Sequence, residues 1–272
     1  MRAAAAGRRR TGPVAGRRLE DHPRVRIIGH GLIARSLAPY ADRHPDALAF
    51  ASGVSDSSTT SPAEFERECA LLYEALEQAR RDDLRIVYFS GGGAIYGRWD
   101  RPAREDEPLE PRSAYGRHQL VCEAVIRSAG VRYLIARLPN VVGPAGSERQ
   151  LVPALVRQAL AGRVTVQAGA ARDLVGVDDM AAVISDLLAT GRPRDVVNVA
   201  SGVSVPVGEI VTAINGLLGV SPEIVPVAGG EAQRFATRRL TARLGTKPLA
   251  APGGFQAVLA RYVPDLAVAG RS

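Results

Sequence analysis

Residues 85–119 constrain the fold more than any other part of the chain. Arg85, Ile86, Val87, Tyr88 and Phe89 are mostly β-branched or aromatic and run into Ser90 and three glycines, which predicts a buried strand stopping at Ser90. An acidic, proline-bearing loop follows, and then an amphipathic run in which Tyr115 and Gln119 stand four apart. On a helix that spacing puts both side chains on one face.

Upstream, 25–28 is a short apolar strand, and Gly29-His30-Gly31-Leu32-Ile33-Ala34 opens a helix expected to reach about Tyr40. In such a turn the first glycine makes the tight bend and the second lets a pyrophosphate approach N–H groups at a positive helix end. The small third residue lets helix and strand pack closely. A tight turn with no ligand is the alternative, with His30 then only a turn residue. Residues 61–64 read as a helix start, with Ser61 as N-cap, Pro62 first and Glu64 third. Phe65, Cys69, Leu72, Leu76 and Ala79 then form one apolar stripe. Further strands are expected at 131–138, 164–166 and 196–199, and helices at 150–161, from Asp178 or Asp179 as cap to Gly191, and at 209–218.

The Tyr96-Gly97 pair after the central strand, the Tyr115 helix, the glycine turn, Arg137-Leu-Pro-Asn140-Val-Val-Gly143-Pro144 and Arg172-Asp-Leu-Val-Gly-Val-Asp178 together resemble the extended short-chain dehydrogenase/reductase family. These are NAD-dependent epimerases, dehydratases and ketoreductases that modify sugar nucleotides. The resemblance spans roughly 25–250. It implies an α/β fold, a Rossmann-like doubly wound parallel sheet with a small C-terminal substrate lobe. It implies NAD or NADP held by Gly29, His30, Gly31, Leu32 and Ile33, by the small-residue loop Ala51, Ser52 and Gly53, and by Pro139 and Val141. Asn140, Arg172 and Tyr96 would face substrate. A guanidinium fork suits a nucleotide diphosphate, whereas a surface ion pair of Arg172 with Asp173 is the plainer reading.

The chain departs from that pattern in three places. Ala51 lies only 22 positions after Gly29, room for one helix and one strand. Residues 46–52 match the family's fourth strand, so the second and third are expected to be missing, with the acid that bonds the adenosine ribose. The first strand should then be a sheet edge, covered by the N-terminal tail, a loop or a second subunit. The family's phenol is the acid/base, and a lysine one turn on lowers its pKa. That position is Gln119 here, and the substrate-orienting Ser/Thr position is Gly92. Tyr115, Gln119, Ser90 and Gly92 are the candidate catalytic positions. A phenol near pKa ~10 is a poor base at neutral pH without a cation. The reading is an NAD(P)-dependent epimerase/dehydratase-like oxidoreductase of a nucleotide sugar or related keto substrate. The alternative is a redox-silent relative, its cofactor lost, that binds a small molecule or does proton chemistry with Tyr115.

Of 272 residues, 1–24 hold seven arginines against Glu20 and Asp21, five of the chain's seven net positive charges. The expected organisation is therefore a disordered arginine-rich tail at 1–24, a dinucleotide-binding domain at 25–200 and a substrate lobe at 201–272. The rest is nearly neutral and lacks interleaved aromatics or a reader motif, which argues against nucleic acid; a partner bound by the tail is the third reading. No apolar run approaches the ~18 residues of a membrane span, and the N-terminus lacks the apolar core of a signal peptide. A cytoplasmic location is expected, with a homodimer as the candidate assembly. Cys69 and Cys122 read as inert core thiols, and no metal site is expected. Lys247 is the only lysine, and the Arg/Ala/Gly richness points to a high-GC bacterial genome.

Overall fold

The structure, a computed structural model, describes residues 25–97, 99–144, 147–245, 249 and 253–269. The arginine-rich segment 1–24, expected to be disordered, and Lys247 lie outside the described residues. β1 (Arg26–Ile28) leads through the glycine turn into α1 (Leu32–Leu37) and then a 3-10 stretch, Ala38–Arg43. The helix expected to reach Tyr40 stops at Leu37 because Pro39 has no N–H to continue the ladder.

β2 (Ala47–Phe50), α2 (Pro62–Arg81), β3 (Arg85–Gly91), α3 (Gly92–Ile95), α4 (Ala114–Ser128) and β4 (Arg132–Leu138) follow. Ser61 caps α2 by accepting the Glu64 N–H at 3.5 Å, as its spacing predicts. Next come β5 (Asn140–Val142), α5 (Leu151–Leu160), β6 (Arg163–Gln167), β7 (Ala171–Arg172), β8 (Leu174–Gly176), α6 (Val177–Ala189) and β9 (Arg194–Asn198). The last are β10 (Val205–Pro206), α7 (Val207–Leu218), β11 (Glu223–Val227), α8 (Arg238–Leu244) and α9 (Gly254–Ala269).

The main sheet is parallel, in the order β1-β2-β3-β4-β9. Ile28, Phe50, Tyr88, Ile135 and Val196 stand side by side across it and face α2 and α4. Ala49, Val87, Leu134 and Ala136 face the opposite layer with α5, α6, α7 and α9. Both faces are thus covered, which is why these strands read as continuous apolar runs. β1 pairs with β2 alone among the described residues, so the sheet ends there, shortened as its length predicts. No described helix is long and apolar enough to cross a membrane.

Asp178 and Asp179 do not cap α6, contrary to expectation. Gly176 is the N-cap, and both acids lie in the first turn, where charge favours the helix dipole. Asp178 accepts from the Tyr262 hydroxyl at 2.8 Å and Asp179 from Arg261 at 3.0 Å, so they fasten α9 to α6. A long-range partner decided their role, and local spacing does not reveal it.

Candidate functional site

A cleft of about 750 Å³ lies at the carboxyl ends of β1–β4, where open α/β sheets bind ligands. The glycine turn forms one wall. Gly29 has φ +119°, and a Cβ there would sit 2.4 Å from the Ala51 carbonyl oxygen, so only glycine fits. At Gly31 a Cβ would meet nothing within 4 Å, and no side chain caps α1. Its first amides are therefore left for an anion. His30, Leu32 and Ile33 line the same wall, and Ala51, Ser52 and Gly53 the next.

That second loop is held from behind by Glu68. Glu68 is fully buried on α2 and accepts the Val54 N–H at 2.8 Å, the Tyr88 hydroxyl at 2.9 Å and the His118 ring at 3.1 Å. Burial pushes its carboxyl up, but His118, the Val54 N–H and Tyr88 outweigh that and hold it below its ordinary range.

Ser113 caps α4 by accepting the Gly116 N–H at 3.0 Å, which sets Tyr115 in the first turn. The partly buried Tyr115 ring lines the cleft and lies against Gly91, where a Cβ would be 2.7 Å from its hydroxyl. Burial first, then the Glu68 carboxylate and the Cys122 thiol, push the phenol well above its ordinary pKa of 10. Arg67, Arg149 and Arg172 also line the cleft, yet none of them offsets that rise. Ser90 also lines the cleft, and its buried Oγ has no hydrogen-bond partner among the described residues.

Gln119, Gly92 and Tyr96 do not join this constellation. Gln119 is 1% exposed, and its Oε1 accepts the Gly91 N–H at 3.1 Å and lies 3.2 Å from the Tyr88 hydroxyl. It braces the end of β3 from behind the cleft wall. Gly92 is buried and turned away, since a Cβ there would be 2.8 Å from Phe235 and 3.0 Å from the Leu138 carbonyl. Tyr96, expected to face substrate, is 2% exposed. Its hydroxyl donates to Asn198 at 2.5 Å and accepts from Arg137 at 3.1 Å. Burial raises its pKa to about 12 despite Arg137. Arg137 is itself buried and forks onto Glu123 at 3.0 and 2.7 Å.

Pro139, Asn140 and Val141 line the far side of the cleft, where Asn140 is pinned by its N–H to the Asp173 carbonyl at 3.1 Å. Arg172 donates to the Ala171 and Glu231 carbonyls at 2.9 and 2.7 Å, and burial lowers its pKa. The plainer ion pair with Asp173 is not how that acid is used: Asp173 turns inward to the Ser201 and Gly202 N–H groups and the Ser201 hydroxyl. Burial nevertheless pushes its carboxyl up to about 6.

Glu68, Arg67, Arg149 and Gln233 are absent from the sequence reading, because nothing local distinguishes them from a solvated face. Cys69 and Cys122, expected to be inert core thiols, lie together beside His118. Cys69, His118 and Cys122 bring their ligand atoms within 4.8 Å of one another. The i, i+4 spacing of His118 and Cys122 was the available signal.

A family model described as the NAD dependent epimerase/dehydratase family matches residues 19–200, two thirds of the chain. The chain is 32% identical over 130 residues to dTDP-glucose 4,6-dehydratase of Mycolicibacterium smegmatis, covering 44% of this chain and 39% of that protein. It is 33% identical over 138 residues to UDP-glucose 4-epimerase of Azospirillum brasilense, covering 45% and 40%. The chain thus spans about 40% of the length of these curated relatives. UDP-glucose 4-epimerase of Thermus thermophilus, solved with NAD, superposes with TM-score 0.70 at 24% identity, covering 87% of this chain and 82% of that one. That likeness is one of fold.

Proposed function

The chain belongs to the NAD dependent epimerase/dehydratase family, and from that premise we propose that it is a nicotinamide-dinucleotide-dependent oxidoreductase of a nucleotide-linked sugar or related keto compound, with Tyr115 as a neutral proton donor. The observation that carries this reading is the pairing, in one cleft with the glycine turn, of the Tyr115 phenol and the unpartnered Ser90 hydroxyl.

The residues present fit most of a dinucleotide. The open Gly31 position and the uncapped start of α1 suit a pyrophosphate, and Pro139, Val141 and Ser90 would hold the nicotinamide end. The sheet stops at β1, so no strand-end acid stands ready for an adenosine ribose among the described residues. NAD and NADP are both compatible with that gap. When bound, such a cofactor supplies or accepts a hydride.

The protein's own part is binding and proton handling. Asn140 and Arg172 would orient a substrate bearing a phosphate or hydroxyl group, and Arg67 and Arg149 add positive charge at the rim. Ser90 Oγ would hold the reacting oxygen. A phenol held neutral can give a proton to an alkoxide forming on that oxygen but is a poor base for the reverse step.

A second reading, a redox-silent binder, is supported by Gln119, which is buried and uncharged where a cation would lower the phenol's pKa. Calorimetric titration with NAD(H) and NADP(H), followed by stopped-flow oxidation of the reduced cofactor with nucleotide-linked ketosugars, separates the two. Saturable binding with substrate-dependent oxidation is expected. Binding without oxidation would favour the second reading, and no binding at millimolar concentration would overturn the first.

A further inference from the structure

We infer that Cys69, His118 and Cys122 form a binding site for a thiophilic divalent cation of the zinc class, set between α2 and α4 behind the cleft wall. The inference is independent of what occupies the cleft. His118 and Cys122 stand one turn apart on α4, and Cys69 comes from α2 across the helix interface. All three ligand atoms lie within 4.8 Å of one another. His118 Nε2 is 3.6 Å from Cys122 Sγ. With metal–sulfur bonds of ~2.3 Å and metal–nitrogen bonds of ~2.0 Å, adjacent ligands of a tetrahedron stand roughly 3.5 Å apart. That edge is already in place.

Glu68 stands beside the imidazole. Its Oε2 lies 3.1 Å from the same ring nitrogen, and the carboxylate is fully buried. Its oxygens already accept the Val54 N–H and the Tyr88 hydroxyl, and it stands outside the three-ligand group. The imidazole is held in orientation by stacking on Phe65, with centroids 4.5 Å apart and planes 23° from parallel. Rigid supporting contacts of this kind are what metal ligands require. Two thiols and an imidazole select zinc or cobalt over magnesium or calcium, which take oxygen donors. Cys69 is partly exposed and gives the ion a route in, whereas His118 and Cys122 are buried.

Binding needs no oxidant or reductant. Each thiol gives up its proton as its sulfur bonds the metal, so two protons leave for one ion taken up. The ion would clamp α2 to the helix whose first turn carries Tyr115.

The test uses the full chain, thiols reduced, stripped with chelator and titrated with Co²⁺ and then Zn²⁺. One equivalent of Co²⁺ is expected, with thiolate-to-cobalt charge transfer and the d–d bands of tetrahedral cobalt, bleached when Zn²⁺ displaces it. Mg²⁺ should produce no change. Cys69→Ser, at the exposed edge, should keep its circular dichroism and bind Co²⁺ at least tenfold more weakly. His118→Gln should lose the tetrahedral bands. No charge-transfer band in the reduced wild type, or an unchanged band in Cys69→Ser, would overturn the proposal. So would thiol counting that shows Cys69 and Cys122 joined as a disulfide that persists with metal in excess. Should Cys122→Ser fail to fold, Cys69→Ser still decides.

Discussion

Gln119 Oε1 is shared by two donors, the Gly91 N–H and the Tyr88 hydroxyl, and Tyr88 has a single proton to divide between Gln119 and Glu68. A lysine there offers no acceptor. Gln119→Lys should therefore cost roughly 1–3 kcal/mol in urea unfolding and give no gain in hydride transfer. A large gain would mean that the new ammonium reaches Tyr115. Tyr115→Phe removes the proton donor and little else, so turnover should fall about 10²–10⁴-fold in stopped-flow while calorimetric cofactor affinity holds. Asp173 carries a pH signature. Its pKa rises from the ordinary 3.8 to about 6 on folding, so its stabilising contribution is complete below 3.8 and lost as pH climbs through 6. Relative to Asp173→Asn, wild-type stability should drop across that window by at most roughly 3 kcal/mol, read from denaturation midpoints.

At the scale of elements, local chemistry was legible wherever it decided the outcome. Ser61, Pro62 and Glu64 announce α2, the β-branched run announces β3, and the four-residue spacing correctly places Tyr115 and Gln119 on one helix. Legibility failed where a distant element held the deciding atom. Gly92 shares the glycine run with Gly91, but Phe235, 143 positions on, closes its side of the chain. Tyr96 looks like a substrate residue until Arg137 and Asn198 enclose it. Glu68 sits in an amphipathic helix and shows its role only when β3 and α4 pack over it. The Arg137–Glu123 pair links α4 to β4, with both side chains 1% exposed. Glu123→Gln leaves that guanidinium without its counter-charge and should cost about 3–5 kcal/mol in urea unfolding. A cost below 1 kcal/mol would show the pair to be replaceable by solvent.

At the scale of the whole molecule, the shortened sheet keeps the half of the cleft built by β1–β4 and leaves β1 as its margin. Every lining residue among the described residues lies at or beyond Gly29, so deleting residues 1–22 should leave cofactor affinity within about threefold, measured by calorimetry. The chain is basic overall, at +7, yet the groups acting on the Tyr115 phenol are burial, a carboxylate and a thiol. Net charge therefore does not predict the field inside the cleft. That field is read most directly by ultraviolet titration of tyrosinate, wild type minus Tyr115→Phe, with dinucleotide absent and then saturating. The difference spectrum should show no tyrosinate signal below about pH 10. Ionisation of Tyr115 near neutral pH, in either state, would mean that a cation contacts the phenol and would contradict its role as a neutral donor.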